Sequence, residues 1–207
     1  MKAIRQMTQK LSKMLLRCLV WLRRLPYRRG YGIHSPFAFR LVTQVFYNKE
    51  KYYAYERLAQ EQRHTPPCDI ALRDCRLCFR LANDFQPQLI VVPAGSNYDL
   101  LATYFEAGCR RAILRRSNAE MPSAKALYYI VRQNAIAFLS NELPTTTSPY
   151  VIIVEGIYDS PLHRQAWQRC LTRLTPAHHA VTFDLYRYGL IYITSKLNTQ
   201  HYTINFW

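Results

Sequence analysis

The chain has 207 residues, with 28 Lys or Arg against 13 Asp or Glu and a net charge of +15. That length supports one domain with a real core plus an appendage, and no internal repeat or low-complexity segment interrupts it. The six Cys, at 18, 68, 75, 78, 109 and 170, are scattered and exclude a small disulfide scaffold, so a reducing compartment is expected.

The charge is unevenly placed. The first acidic residue is Glu50, and the 49 residues before it carry eleven Lys or Arg. The other 158 residues carry 17 basic and 13 acidic side chains, a balance of +4. This asymmetry points to an anionic partner: phosphate backbone, anionic lipid or an acidic protein face. The longest apolar run near the front, Cys18 to Leu22, has five residues, against the roughly 20 that a membrane span needs. A signal peptide would need a longer apolar stretch and a small-residue cleavage site. The expectation is a cytoplasmic protein with no transmembrane segment, peripheral at a membrane if its front helix lies on one.

Residues 3 to 24 read as that helix. Ile4, Met7, Leu11, Met14, Leu15, Cys18 and Leu22 recur at steps of three and four, while Lys and Arg occupy most other positions. Pro26 ends it. Three readings of residues 1–29 stand together: a stripe docked on the domain, a helix on an anionic membrane, and a nucleic-acid contact.

Further on, helices are predicted over 37–46, 49–62, 69–84, 98–107, 122–133 and 161–174, with a break at 64–67. Strands are predicted at 89–92, 111–114, 135–139, 150–154, 181–186, 190–194 and 202–206. Alternating strand and helix, closed by two or three strands, argues for an α/β sheet, parallel in the centre with an antiparallel edge.

Three stretches carry a resemblance. Gly30-Tyr31-Gly32-Ile33-His34-Ser35-Pro36-Phe37 opens the body. Glu155-Gly156-Ile157-Tyr158-Asp159-Ser160 is followed by Ala166-Trp167. Thr182-Phe183-Asp184-Leu185-Tyr186 runs on to Gly189-Leu190-Ile191-Tyr192. Over residues 30–207 the chain resembles the class I S-adenosylmethionine-dependent methyltransferases, in a bacterial branch related to the small-molecule O-methyltransferases. The resemblance implies a Rossmann-like, mostly parallel sheet with helices on both faces and an antiparallel C-terminal hairpin, preceded by the basic helix of residues 1–29. It implies S-adenosylmethionine as cofactor, with Pro93, Ala94, Gly95, Asn97, Arg115 and Glu155 on the cofactor-binding positions.

The chain departs from the family pattern in each of its chemical requirements. One Gly remains in the turn after the first strand, with Pro93 fixing φ and removing an N–H, and Asn97 in a place where left-handed backbone is usual. The second strand ends Leu114-Arg115-Arg116-Ser117, donors where the family has a ribose-binding carboxylate. Gly156 stands where a second metal ligand belongs, and one carboxylate seldom holds a hard cation, so no metal is expected. The interval from the first strand to the Glu155 strand is about 60 residues, roughly one βαβ unit of about 30 residues short. Glu155 aligns with the acidic end of strand four or five of the family, five being preferred. The reading is a methyltransferase-fold protein with an eroded cofactor site, with an anionic-surface binding module or an interaction subunit for a partner protein as alternatives.

Other constellations have plainer readings. Cys75 and Cys78 lie one turn apart on a buried helix face and lack a second pair for zinc. His178-His179 is a loop pair. His34 and Ser35 offer a substrate or anion contact, or else Ser35 caps the helix that Pro36 begins. Asp184 interrupts an apolar strand, and a bond to backbone or to an Arg is expected.

Overall fold

The computed structural model describes residues 18–64, 70–116, 124–143 and 148–206. Of the basic front helix, residues 1–17 lie outside that set, as do residues 65–67 of the expected break. Residues 18–23 are helical, and a short 3-10 turn follows at Leu25–Tyr27.

Ser35 starts the first helix of the body. Its Oγ accepts from the Ala38 N–H at 3.3 Å, and Pro36 takes the first helical position. This helix, α1, runs Pro36–Arg40 and widens into a π-helical turn over Leu41–Phe46. The helix α2 spans Ala54–His64 and α3 spans Leu72–Phe85. Strand β1 is Leu89–Val92, α4 is Asp99–Gly108 and β2 is Ile113–Arg116. Then come β3 at Ala126–Ile130, α5 at Arg132–Ser140, β4 at Tyr150–Glu155 and α6 at Pro161–Arg173. Strands β5 at Ala180–Asp184, β6 at Tyr188–Ile193 and β7 at Gln200–Thr203 close the chain.

The strands form one sheet in the order β2-β1-β3-β4-β6-β5-β7. Strands β2, β1, β3 and β4 are parallel, and β6 is antiparallel to both β4 and β5. Side chains alternate between two faces, as the period of a strand requires. Ile90, Val92, Leu127, Tyr129, Val151 and Ile153 pack under α1 to α4, while Leu89, Val91, Tyr128, Ile152 and Val154 pack with Ala135, Leu139 and Trp167 of α5 and α6. The fold is therefore Rossmann-like, with helices on both faces and an antiparallel β5–β6 hairpin.

Three expectations are corrected. Of the helix expected over 122–133, residues 122–123 lie outside the described residues, 126–130 form the strand β3 and 132–133 open α5, and the strand expected over 135–139 lies inside α5. All four residues Ala126 to Tyr129 are buried, as a central parallel strand demands. Ala135 and Leu139 are both 0 % exposed at a spacing of four, which is a helical face. The antiparallel strand is also not at the edge: β6 is interior, and the edge strand β7 runs parallel to β5. Residues 117–125 join β2 to β3. Those nine residues are fewer than the dozen or more of an ordinary parallel crossover.

Candidate functional site

The chain leaves β1 for β2 on one side and later returns to β3 on the other, so β1 and β3 bracket a topological switch point. Open parallel sheets place ligands beyond the carboxyl ends of strands at such a point. The expected cofactor residues gather along this edge. Pro93 is buried directly after β1, and Ala94, Gly95, Ser96 and Asn97 are exposed. Gly95 has φ +126 with nothing within 4 Å of where a Cβ would stand, so the turn faces open space and keeps the one backbone position that favours glycine. Asn97 lies in the 3-10 turn Ser96–Tyr98 and does not adopt the left-handed conformation its residue type tolerates.

Arg115 and Arg116 end β2 as exposed side chains. Arg116 pairs with Asp99 at 2.8 Å, tying the end of β2 to the first turn of α4. Glu155 ends β4 half-buried. Burial raises its carboxyl above the ordinary range, and the backbone amide and charge of Arg132 pull the other way. Gly156 follows with φ +74, and a Cβ there would stand 2.9 Å from Asp159 Oδ2. A carboxylate in that place would need both left-handed backbone and displacement of Asp159, whose Oδ2 already accepts from Arg132 at 2.9 Å. Among the described residues no group of three or more His, Cys, Asp or Glu side chains is placed to hold a metal ion.

Rings lie under this edge that the sequence reasoning did not single out. Tyr98, Tyr129 and Tyr188 form a chain with centroids 6.3 and 6.4 Å apart. The Tyr188 hydroxyl donates to Asp74 at 3.2 Å, and Asp74, 1 % exposed, also pairs with Arg73 and Arg187 at 3.1 Å each. Burial pushes the Tyr129 phenol well above its usual range, with Tyr188 and Glu155 adding to it. The one sequence signal for this cluster is Asp74 itself, a carboxylate beside the apolar stripe that Leu72 and Cys75 define.

Ser35 plays a local part. Ser35 caps α1, and its carbonyl accepts from the Phe39 N–H at 2.9 Å. His34 is exposed, and among the described residues no hydrogen bond or ion pair joins it to the strand-end residues. Cys75 and Cys78 pack in the core beneath the sheet, and burial raises the Cys78 thiol well above its ordinary range. His178 caps the turn Pro176–His178 with Thr175, as befits a loop pair. Asp184 binds an arginine, Arg24, at 2.9 Å.

Two clefts stand out, and neither includes Pro93, Ala94, Gly95, Asn97, Arg115 or Glu155. One, of about 1240 Å³, is lined by residues of 28–29, 43–52 and 80–84. The other, of about 790 Å³, lies between Val20, Arg23 and Arg24 and the residues Tyr158 to Leu162. No family model, no curated protein and no solved structure matches this chain.

The strand-end residues do not fit a nucleoside cofactor. A ribose diol is held by a carboxylate acceptor; here β2 ends in two guanidinium groups, and the neighbouring acid, Asp99, has one oxygen on Arg116. Pro93 contributes no N–H where backbone would approach the ligand.

Proposed function

We propose that this chain is a methyltransferase-like scaffold that does not transfer methyl groups and instead docks on an anionic membrane surface through its N-terminal segment. One observation carries the reading. At the end of the basic helix, Leu19 and Leu22 are 56 % and 53 % exposed beside the exposed Arg23, while the next residue, Arg24, is buried against the body. Cys18 and Leu22 belong to the apolar stripe of that helix, and both face solvent. The stripe is not spent on the domain at this end.

An apolar stripe among the six Lys and Arg of residues 1–23, a stretch with no acid, suits a surface that offers hydrocarbon and negative charge together, which anionic lipid does. Nucleic acid rewards the charge and gives little for the leucines. The reading without methyl transfer is supported by Arg115 and Arg116, exposed donors at the expected ribose position.

The test is co-sedimentation of the full chain with phosphatidylcholine vesicles, with and without phosphatidylserine, beside a calorimetric titration of S-adenosylmethionine. Binding that needs phosphatidylserine, and no heat from the cofactor, is the expected pair of results. Equal binding to both vesicles sinks the membrane reading, and micromolar cofactor binding sinks the non-catalytic one.

A further inference from the structure

Arg80 is 7 % exposed and has no carboxylate partner among the described residues. Its Nε donates to the Val45 carbonyl at 2.6 Å, its Nη2 to the Phe46 carbonyl at 3.3 Å and its Nη1 to the Tyr55 hydroxyl at 3.4 Å. All three acceptors are neutral. The two carbonyls belong to the π-helical turn Leu41–Phe46, and such turns recur at functional sites. A buried cation ordinarily has a counter-ion; Arg24 has one in Asp184, and Arg80 does not.

Arg80 also lines the cleft of about 1240 Å³, together with Arg28, Arg29 and Lys49. Two carboxylates share the lining. Asp84 is already neutralised by Arg40, whose Nη2 reaches Oδ2 at 3.0 Å, and Glu50 is exposed. Four cations thus face Glu50 and a paired Asp84. Arg29 has φ +52, a left-handed backbone that costs a non-glycine residue strain.

We propose that this cleft binds a phosphate-bearing ligand, with Arg80 as the buried anchor and Arg28, Arg29 and Lys49 around the rim. Guanidinium groups match the paired oxygens of a phosphate, and a dianion supplies the counter-charge Arg80 lacks. The volume admits a nucleotide or a phosphorylated headgroup. No residue of the loops after β1 to β4 takes part, and the site does not depend on the membrane reading.

The experiment is calorimetric titration of the full chain at low salt with inorganic pyrophosphate, ADP and glycerol 3-phosphate. Pyrophosphate is expected to bind. The variant Arg29→Gly removes a cation and relieves the left-handed strain, so it folds at least as well as the parent. With Lys49→Ala added, affinity is expected to fall about tenfold at an unchanged melting temperature. Arg80→Lys, which keeps a charge and loses the fork, is expected to weaken binding further. Tighter binding of ADP identifies a nucleotide, and tighter binding of glycerol 3-phosphate a headgroup. No heat from any probe overturns the proposal. So does equal affinity in the double variant, or a loss seen only when Lys2, Lys10 and Lys13 are changed to Ala.

Discussion

Arg24 and Asp184, 160 residues apart in sequence, form a two-pronged ion pair, Nη1 to Oδ1 at 2.9 Å and Nη2 to Oδ2 at 3.1 Å. Tyr158 donates to the same carboxylate at 2.6 Å and the Tyr186 N–H at 2.8 Å. The guanidinium lies against both tyrosine rings, 5.4 and 5.3 Å from their centroids. Asn205 adds a second tie, its side chain donating to the Trp21 carbonyl at 3.2 Å and its N–H to the Tyr27 carbonyl at 3.0 Å. The end of the basic segment is therefore fixed to the last residues of the chain, and the direction in which Leu19 and Leu22 face is set by these contacts.

Arg24→Met tests this tie. Removing one member of a buried pair leaves the other charge uncompensated, at a cost of about 3–5 kcal/mol. The urea midpoint is expected to drop accordingly, and adding Asp184→Asn should recover part of the loss. A drop no larger than that of Arg111→Met, at an exposed arginine, would show that the pair carries no special weight.

Gly189 lies in β6 beneath the Trp167 ring of α6. A Cβ at 189 would stand 2.5 and 2.7 Å from two carbons of that ring. Trp167 is 1 % exposed and has little room to give way. Gly189→Ala is expected to lower the melting temperature, with an overpacking cost of about 1–3 kcal/mol. Adding Trp167→Phe should restore part of it, and an unchanged melting temperature for the single variant would contradict the close approach.

Much of this architecture was legible in the sequence because local pattern and tertiary demand agreed. Leu89 to Val92 and Tyr150 to Val154 are unbroken apolar runs and became central strands. Ser35 before Pro36 and Ser160 before Pro161 are start signals, and each caps a helix. The failure at 122–140 came from propensity winning over period. Ala, Lys and Leu in 124–127 favour a helix by composition, yet the run Ala126 to Ile130 is only long enough for a strand between β1 and β4. At the candidate site the turn, the two arginines and Glu155 were all legible and lie along one edge. Asp99 and the tyrosines were not, because pairing across elements leaves no mark in local spacing. The π-helical turn and Arg80 were hidden for the same reason, since a buried arginine reads in sequence like any surface one.

Glu155 gives a pH dependence. Its folded-state pKa is raised by burial, so the folded protein holds this proton more tightly than the unfolded chain does. The contribution is fully present below the ordinary glutamate value of 4.5 and is lost as pH rises through the higher folded value. Glu155→Gln cannot ionise and is expected to be more stable than the parent at neutral pH, with the difference vanishing in acid. Denaturant midpoints of both proteins across that range check the sign. A glutamine variant less stable at neutral pH would mean that the carboxylate is held by partners stronger than its burial.

Leu19 and Leu22 separate lipid from other anionic partners, because they can be changed without touching charge. Leu19→Gln with Leu22→Gln keeps all eleven cations of the first 49 residues. Both side chains are more than half exposed, so the body should lose little stability. Insertion of a leucine into lipid contributes about 1.5 kcal/mol or more, and the pair of changes is expected to weaken vesicle binding about 100-fold or more. The salt dependence should stay as steep as before, since it comes from the Lys and Arg side chains. A double variant that binds vesicles like the parent would mean that charge alone holds the segment, and the apolar stripe would then be free to meet a protein.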